Sequence, residues 1–308
     1  MSQQLSAGQA LARALLKMGT SRVYGIIGTS NVAFVDALYE VRDRIHYVSC
    51  RHEQVAASMA DAEGRLTGRP GVALVHSGPG ALNAMISAGN AYKDCSPMII
   101  ITGAVKRRLA GSDGMLEVDH RRLFAPLCKA TFRVESASEV PGVFSAAYRA
   151  AMSGARGPVL IEVPEDVWAE KVEIDIEGME LACDAPPPVK HADVTDALAM
   201  IESARLPLVL AGAGVAYSHS RGDLVKFAEA LSLPVMRAMP KSTIFGVPSA
   251  MSRMLPGLMS RWRMPWLWAK ARPSATWPMS RTASWRGSRP SRVSRSRRLS
   301  PSTYSMAR

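Results

Sequence analysis

The sequence predicts an α/β protein built on a largely parallel sheet, and three observations support this fold class. Short apolar runs suited to strands alternate with longer segments in which apolar residues recur at helical spacing. The strand runs are almost continuously apolar, which is typical of strands that helices cover on both faces. Gly and Pro separate the two kinds of segment, as expected of the turns in βα units.

The elements follow one another regularly along the first half of the chain. A helix begins after Ser6, where Ser6 and Gln9 form a capping-box pattern, and it ends near Gly19. The predicted strands occupy residues 23–27, 45–49, 72–75, 98–102 and 159–163. The predicted helices occupy residues 31–39, 53–66, 82–92 and 140–152. This order predicts a single sheet with helices on both faces.

The composition divides the chain into four segments. Residues 1–165 form the first α/β domain, and residues 166–190, with mixed charge and a run of prolines, are predicted to be a linker. Residues 191–240 begin a second, Rossmann-like unit, but the further βα units that would cover its sheet do not follow, so it is predicted to be incomplete. Residues 241–308 form an irregular tail without sustained helical or strand periodicity.

The net charge of +12 belongs to the tail. Residues 251–308 contain 12 Arg, one Lys and no acidic residue, which leaves residues 1–250 with a net charge of −1. Electrostatic attraction to nucleic acid is therefore expected of the tail only. The same tail holds five of the six Trp, which is unusual for a solvated segment.

Three interpretations of the tail stay open. Out-of-frame translation of a GC-rich message from about residue 240 would give Arg, Ser, Pro and Trp without acidic residues, and it would truncate a half-built domain. A disordered Arg-rich arm would bind RNA instead, and the third interpretation is a packed segment. We favour the frame shift and expect no nucleic-acid partner.

The composition also excludes several classes of protein. No apolar run reaches the roughly 18–20 residues that a membrane helix needs, so we expect no membrane partner. The N-terminus lacks a basic region followed by an apolar one, so we expect no secretory signal. The four cysteines form no Cys-x-x-Cys pair, which argues against a structural zinc site and for a reducing compartment, the cytoplasm.

Residues suited to chemistry follow three of the predicted strands. Glu53 opens a helix after one strand, His76-Ser77-Gly78-Pro79-Gly80 follows another, and Gly25-Ile26-Ile27-Gly28 follows the first. The carboxyl ends of parallel strands meet at one edge of a sheet, where open α/β sheets bind ligands. The structural alternatives are a first-turn Glu that interacts with the helix dipole, glycines of tight βα turns, and a histidine with satisfied hydrogen bonds.

Longer motifs carry a resemblance to a known family. The segments VYGIIGTSN, RHEQVAASMADAEGRLTGRPGVALVHSGPGALNAMISAGNAYKDCSPMIIITG, LEVDHRRLFAPLCKATFRV and GPVLIEVPEDV occur in this order within residues 4–170. They resemble the pyrimidine-binding domain of thiamine diphosphate-dependent enzymes of the acetolactate synthase and 2-oxoacid decarboxylase group. Residues 204–237 are similar to the start of that family's central domain. By this resemblance, residues 1–165 are the pyrimidine-binding domain and residues 191–240 a truncated central domain.

The resemblance implies a site for the pyrimidine half of thiamine diphosphate. In the family, the glutamate at the position of Glu53 hydrogen-bonds N1′ of the aminopyrimidine, which requires a carboxylate in a largely apolar pocket. His76 matches a histidine that relays protons in benzoylformate decarboxylase, a task that suits an imidazole. The implied catalytic residues are therefore Glu53 and His76. The implied cofactor-binding residues are Gly28, Thr29, Gly78, Pro79, Gly80 and Asn83, of which Thr29 would also face the substrate.

Two departures from the family bear on the substrate class. Gly25-Ile26-Ile27-Gly28 replaces the usual Gly-x-Pro-Gly, and Met115-Leu116-Glu117 replaces the Phe-Gln-Glu of acetolactate synthases. The resemblance implies decarboxylation of a 2-oxoacid with carboligation, as in acetolactate synthase. His76 and Leu116 support the alternative of a benzoylformate decarboxylase-like enzyme without ligation. Glu117 and Asp119 are expected to be surface carboxylates.

The family's second half-site has no counterpart in the 308 residues. The family holds Mg²⁺ and the diphosphate with a Gly-Asp-Gly segment and a distant Asn, and no Gly-Asp-Gly occurs here, so no metal ligand is predicted. We expect the isolated chain to be inactive, or to be one chain of a split enzyme. Family members pair through the pyrimidine domain, which implies a homodimer. The Gly212-Ala213-Gly214 turn is too short a motif to predict FAD, and we expect none.

Overall fold

The structure, a computed structural model, describes residues 2–218 and 220–237. The predictions made for the tail and for a frame break near residue 240 lie outside these residues. The strands are β1 Gln3–Ser6, β2 Arg22–Gly25, β3 His46–Ser49, β4 Gly71–Val75, β5 Met98–Ala104, β6 Ala130–Arg133, β7 Pro158–Pro164, β8 Lys171–Ile174, β9 Val209–Ala211 and β10 Val235–Arg237. The helices are α1 Ala7–Met18, α2 Val32–Tyr39, α3 Glu53–Thr67, α4 Pro79–Lys93, α5 His120–Phe124, α6 Val140–Met152, α7 His191–Ser203, α8 Ala213–Tyr217 and α9 Arg221–Ala230.

Six of the strands form one parallel sheet in the order β3-β2-β4-β5-β7-β6, which confirms the predicted fold class. Every residue of β4, β5 and β7 is buried, as the continuous apolar runs predict. β3, β2 and β4 are neighbours in the sheet. The turns that follow these three strands therefore open side by side at its carboxyl edge.

Helices cover the two faces of the sheet with separate apolar clusters. One cluster joins α1, α2 and α6 to residues such as Leu74 and Ile99, and the other joins α3 and α4 to residues such as Val75 and Ile100. Neighbouring residues of one strand divide between the clusters because successive side chains point to opposite faces. The second cluster is rich in alanine, which lets α3 and α4 pack closely on each other and on the sheet: Ala56, Ala57, Ala60, Ala81, Ala84 and Ala88.

The first helix begins and ends as its sequence predicts. Ser6 Oγ accepts a hydrogen bond from the backbone N–H of Gln9 at 3.1 Å, and the Gln9 side chain accepts one from the N–H of Ser6 at 3.0 Å. This is the reciprocal capping box, which satisfies two N–H groups that the helix leaves free. At the other end, Gly19 has φ +83°, a left-handed conformation that favours glycine.

The structure differs from the sequence prediction in the predicted linker, residues 166–190. β8 pairs antiparallel with β1, and Trp168, Ile174 and Met179 are buried in the first apolar cluster. Residues 182–190 are exposed. The prediction rested on mixed charge, but Val172, Ile174 and Ile176 alternate with polar residues, which is the pattern of a strand with one buried face. β1, β6 and α5 were likewise not predicted.

Residues 191–237 contain a short parallel pair, β9 and β10, with α9 between them. Among the described residues of this segment, only Ala228 and Leu233 are buried. The segment contacts the first domain through Arg156, whose guanidinium lies 4.9 Å from the centre of the Tyr217 ring and donates a hydrogen bond to Gly68 O at 2.7 Å. In the described part of the chain, no helix has the length and apolar character that crossing a membrane requires.

Candidate active site

Glu53 is the first residue of α3, directly beyond the end of β3. Its side chain is buried, with 8% of the residue exposed, and Asn83 Nδ2 on α4 donates a hydrogen bond to its Oε2 at 2.9 Å. The other oxygen, Oε1, lies against Gly80, where an added Cβ would come within 2.8 Å of it. The structure thus brings Glu53, Asn83 and Gly80 together, with one carboxylate oxygen held and the other facing the glycine turn.

His76 follows β4 and packs between two glycines. A Cβ at Gly28 would lie 2.4 Å from His76 Nδ1, and a Cβ at Gly80 would lie 2.9 Å from His76 Cβ. A side chain at Gly28 would collide with the imidazole ring, and a side chain at Gly80 would collide with Cβ of His76. The structure therefore joins the turns after β2 and β4 through His76, and Gly80 lies between His76 and Glu53.

Ser30 is the partner of His76, and the sequence analysis missed it. Ser30 Oγ lies 2.6 Å from His76 Nδ1 and accepts the backbone N–H of Ser77 at 3.1 Å. Ser30 Oγ accepts that N–H with one lone pair and can donate its own proton to Nδ1. We assign the proton of the neutral imidazole to Nε2 on this hydrogen-bond network. Trp168 Nε1 donates to Ser30 O at 2.8 Å and fixes this residue from the other side.

The turn after β2 is held by a buried asparagine. Asn31 Oδ1 accepts the N–H of Gly28 at 2.9 Å, and its Nδ2 donates to Ile26 O at 3.1 Å and to Val75 O at 3.2 Å. Asn31 therefore ties the end of β2 to the end of β4, in a turn that lacks the proline usual in the family. Thr29, predicted to line the site, is exposed on this turn.

The turn after β4 opens α4 with Gly78, Pro79 and Gly80. Gly78 has φ +64°, so a side chain would be strained there, and a Cβ would also lie 3.0 Å from Leu116 Cα. Pro79 is exposed at the first helical position, where it loses no hydrogen bond. The N–H of Gly78 donates a hydrogen bond to His120 Nε2 at 2.9 Å.

His120 belongs to a group of hydrogen-bonded polar side chains, centred on the buried Glu162, that the sequence analysis did not assign. Its Nδ1 donates to Glu162 Oε2 at 2.7 Å, and Arg133 donates to Glu162 Oε1 at 2.5 Å. Only 1% of His120 and 3% of Glu162 are exposed. Burial raises the pKa of Glu162, but the hydrogen bonds from His120 and Arg133 and the charge of Arg133 lower it by more, to below its ordinary value. We call Glu53, His76, Asn83 and Ser30 the crevice cluster, and His120, Glu162 and Arg133 the buried cluster.

Glu117 and Asp119 shape the loop that leads to His120. Glu117 accepts the N–H of Gly111 at 2.5 Å and that of Gly114 at 3.2 Å, and these hydrogen bonds lower its pKa. Asp119 caps α5 by accepting the N–H of Arg122 at 3.0 Å. Within the described ranges, no three His, Cys, Asp or Glu side chains are grouped so that they could hold a metal ion.

Two family profiles match the chain. "Thiamine pyrophosphate enzyme, N-terminal TPP binding domain" matches residues 5–123, which include every residue of the crevice cluster. "Thiamine pyrophosphate enzyme, central domain" matches residues 194–256. The chain belongs to the thiamine pyrophosphate enzyme family. It is a mixed α/β member of that family, and thiamine pyrophosphate is the thiamine diphosphate that the sequence resemblance implies.

The relatives of the chain have two kinds of name. A "Probable acetolactate synthase large subunit" from Methanocaldococcus jannaschii is 37% identical over 238 residues, which cover 75% of this chain and 40% of the relative. One with the same name from Methanococcus aeolicus is 35% identical, with 75% and 39% covered. A solved structure, "Rhodococcus jostii RHA1 thiamine diphosphate-dependent 4-hydroxybenzoylformate decarboxylase", has a TM-score of 0.68 and 29% identity, with 76% and 44% covered. The chain thus spans about two fifths of the length of the curated relatives it matches.

The residues of the crevice fit the pyrimidine half of the cofactor. Oε2 of Glu53 accepts the hydrogen bond from Asn83, which leaves Oε1 for a hydrogen bond with a ring nitrogen of the cofactor. At Gly28 and Gly80 the space that a Cβ would fill is taken by His76 and Glu53, so the two glycines let these side chains pack against the turns.

Proposed function

We propose that the chain forms the pyrimidine-binding part of a thiamine diphosphate enzyme that decarboxylates a 2-oxoacid and ligates the product to a second carbonyl compound, as acetolactate synthase does. The names of the curated relatives support the reaction class. The observation that carries the proposal is the buried Glu53 carboxylate, held by Asn83 at the junction of the turns. When bound, the cofactor supplies a nucleophilic carbon and an electron sink for the leaving CO₂.

The proposed role of each residue follows from its contacts. Glu53 would use Oε1 to share a proton with a ring nitrogen of the aminopyrimidine, while Asn83 fixes the orientation of the carboxylate through Oε2. Gly28 and Gly80 would border the ring, at positions where the absence of a side chain leaves room for His76 and Glu53. Gly78, Pro79 and Thr29 would form the remaining wall of the pocket. His76, with its proton assigned to Nε2, would exchange protons with the substrate.

His76 favours a second candidate, a 2-oxoacid decarboxylase without ligation. The imidazole is half-buried at the open edge and has a fixed hydroxyl partner, so Nε2 is the nitrogen available for proton transfer. The structural relative whose printed name is a 4-hydroxybenzoylformate decarboxylase supports this candidate. Product analysis separates the two functions, because a decarboxylase releases a free aldehyde and a ligase forms a longer hydroxyketo acid.

The proposal concerns only one half of a complete site. The 308 residues contain no Gly-Asp-Gly segment for Mg²⁺ and the diphosphate, so we propose that these residues alone do not turn over a 2-oxoacid. A diphosphate-binding chain, as in a split enzyme, would restore CO₂ release on mixing. We keep the prediction that FAD is not bound.

The test uses Glu53→Gln and a matched control, Glu173→Gln, which removes the same charge from an exposed position on β8. Titration calorimetry with thiamine diphosphate and Mg²⁺ measures binding. We expect Glu53→Gln to weaken binding by about tenfold or more, as for loss of a hydrogen bond to a charged group, and Glu173→Gln to match the unsubstituted chain. Cofactor-dependent CO₂ release from 2-oxoacids, with a diphosphate-binding chain added, should vanish in Glu53→Gln only.

The proposed function fails if the unsubstituted chain neither binds the cofactor nor supports CO₂ release on mixing. Equal binding and equal turnover in Glu53→Gln would remove Glu53 from the mechanism while leaving the family assignment intact. CO₂ release by the chain alone would contradict the proposal that a second half-site is needed.

We also propose that the chain forms a homodimer through α3 and α4. Four apolar side chains on these helices are exposed: Val55, Met59, Leu82 and Ile86. Ile86→Glu is expected to convert a dimer to a monomer in sedimentation velocity, whereas Met200→Glu, at an exposed apolar position on α7, should not. A monomeric unsubstituted chain at micromolar concentration would contradict this proposal.

The proposed compartment is the cytoplasm. All four cysteines are free, two of them half-buried, one buried and one exposed. Free thiols are typical of proteins in a reducing compartment. Localisation of a tagged chain by cell fractionation tests this proposal, and recovery from an oxidising compartment would contradict it.

A further inference from the structure

The N–H of Gly78 has an unusual partner. The first N–H groups of a helix have no acceptor within the helix and are usually satisfied by a capping side chain or by water. Gly78 precedes α4 and has no side chain, and its N–H donates instead to Nε2 of His120, from a different part of the chain, at 2.9 Å. The shape of the turn therefore depends on a nitrogen lone pair supplied by a buried histidine.

The protonation state of His120 follows from its two partners. Nε2 accepts a hydrogen bond, so it carries no proton. Nδ1 lies 2.7 Å from Glu162 Oε2 and therefore carries the proton that it donates to that carboxylate. Arg133 occupies the other oxygen of Glu162 at 2.5 Å, so the carboxylate stays charged in its buried position. The buried cluster thus fixes the one tautomer of His120 that can accept from Gly78.

The turn transmits this constraint to the crevice cluster. Gly78 has φ +64° and packs against the backbone of Leu116, so the turn has little room to move at this residue. Two residues later, Gly80 lies against both Glu53 Oε1 and His76. A shift of the turn at Gly78 would therefore change the space around the two proposed catalytic residues.

We propose that His120 is a positioning residue, whose Nε2 lone pair holds the Gly78 N–H and thereby sets the distance of the Gly78–Gly80 turn from Glu53. The inference rests on the proposed function where it concerns the cofactor, but the effect of His120 on the turn does not require a cofactor.

Two conservative variants separate the two nitrogens of the imidazole. The amide of Gln reaches the position of Nε2, so His120→Gln keeps an acceptor for Gly78. The amide of Asn reaches the position of Nδ1, so His120→Asn keeps a donor for Glu162 and loses the acceptor. Both variants keep a polar amide in the same buried place, which makes each the control of the other.

The first readout is hydrogen exchange of the Gly78 amide, which needs no cofactor. We expect exchange in His120→Gln to stay near that of the unsubstituted chain, and exchange in His120→Asn to be about tenfold faster, as for loss of one buried hydrogen bond. The second readout is the affinity for thiamine diphosphate with Mg²⁺, which should follow the same order. Equal exchange in the two variants, or faster exchange in His120→Gln, overturns the inference.

The two readouts distinguish failure of the inference from failure of the proposed function. If the exchange rates follow the expected order and the unsubstituted chain does not bind the cofactor, the proposed function fails and the role of His120 in the turn stands. If the exchange rates follow the order and cofactor affinity is the same in both variants, the turn does not position Glu53 and the inference is overturned.

If neither variant folds, the unsubstituted chain provides the test. ¹⁵N spectra of its ring nitrogens, with each of the other five histidines identified by its own substitution, report which nitrogen of His120 is protonated. A proton on Nδ1 alone supports the inference. A proton on Nε2 overturns it, because Nε2 could then not accept from Gly78.

Discussion

The two sides of the Gly78 turn use the same kinds of side chain differently. In the crevice cluster, the Glu53 carboxylate accepts a hydrogen bond at one oxygen, and the His76 imidazole has a hydroxyl partner at one nitrogen. In the buried cluster, both oxygens of Glu162 and both nitrogens of His120 have partners. A carboxylate and an imidazole are therefore partly available on the first side and fully engaged on the second.

This difference separates positions that hold a shape from positions that can exchange protons. A buried group with all its hydrogen bonds made stabilises one arrangement, and removing any partner leaves a costly unpaired group. A group with one free atom at an open edge can bind a new partner without losing an old one. We therefore expect substitutions in the buried cluster to lower stability, and substitutions in the crevice cluster to change chemistry at a smaller cost in stability.

Glu162→Gln is expected to have the largest effect. Loss of the charge weakens the hydrogen bonds from His120 and Arg133, and Arg133 keeps only its ion pair with the exposed Glu135 at 2.8 Å, so the free energy of unfolding should fall by about 3 kcal/mol at pH 7. Burial raises the pKa of Glu162, but His120 and Arg133 lower it by more, so it lies below the ordinary 4.5. The stabilisation is therefore complete above pH 4.5 and is lost as the pH falls below that value. Urea unfolding at pH 7 and pH 4 measures both expectations.

Asn83→Ala in the crevice cluster is the matched comparison for Glu162→Gln. It also removes a hydrogen bond to a carboxylate, but at the carboxyl edge of the sheet, where Glu53 can find another partner. The free energy of unfolding should therefore fall by about 1 kcal/mol. Equal losses in the two variants would show that the two clusters are energetically alike. A difference that does not shrink in acid would show that it does not come from the charge of Glu162.

Gly80→Ala is expected to have the second largest effect, because it changes the distance between the turn and the crevice. The new Cβ would lie 2.8 Å from Glu53 Oε1 and 2.9 Å from His76 Cβ, so one side chain must move. We expect a loss of about 2 kcal/mol in the free energy of unfolding, together with weaker cofactor binding. Thermal unfolding and calorimetry measure the two quantities.

Gly89→Ala, on the same helix, is the control for Gly80→Ala. The nearest atom to its new Cβ would be Leu127 Cδ2 at an ordinary 3.6 Å. Since alanine favours a helix interior over glycine, this variant should gain up to about 1 kcal/mol and bind the cofactor normally. A gain in both variants would mean that the crowding at Gly80 is relieved without moving Glu53.

The apolar pattern of the sequence predicts the sheet well, and the placement of the crevice cluster follows from it. β4, which precedes His76, is a continuous buried apolar run, and such runs have few alternatives to a buried parallel strand. β2 and β3, which precede Gly28 and Glu53, have polar residues at their ends, and β3 is only partly buried. β1 and β8 were missed because an edge pair with one buried face has a weaker pattern than a central strand.

The partners of the site residues were harder to predict, because they depend on contacts between distant segments. Ser30 and His76 are 46 residues apart, and His120 and Glu162 are 42 residues apart. Glu162 did carry a usable pattern: it is a charged residue inside the apolar run of β7, and a buried carboxylate requires a charged or hydrogen-bonding partner. The sequence alone does not say which histidine or arginine supplies it.

Ser30→Ala is expected to have a small effect on stability and to change the chemistry of His76. It removes the partner of Nδ1 and the acceptor for the Ser77 N–H, so we expect a loss of about 1 kcal/mol in the free energy of unfolding. Without Ser30 Oγ, the proton of the neutral imidazole is no longer confined to Nε2. ¹⁵N spectra of His76 should change from one tautomer to a mixture.

Ser87→Ala, which removes a buried hydroxyl bonded to Gln54 O, should cost a similar amount of stability and leave the His76 spectrum unchanged. An unchanged His76 tautomer in Ser30→Ala would mean that the crevice cluster does not depend on this hydroxyl, and the contrast with the fixed tautomer of His120 would lose its basis.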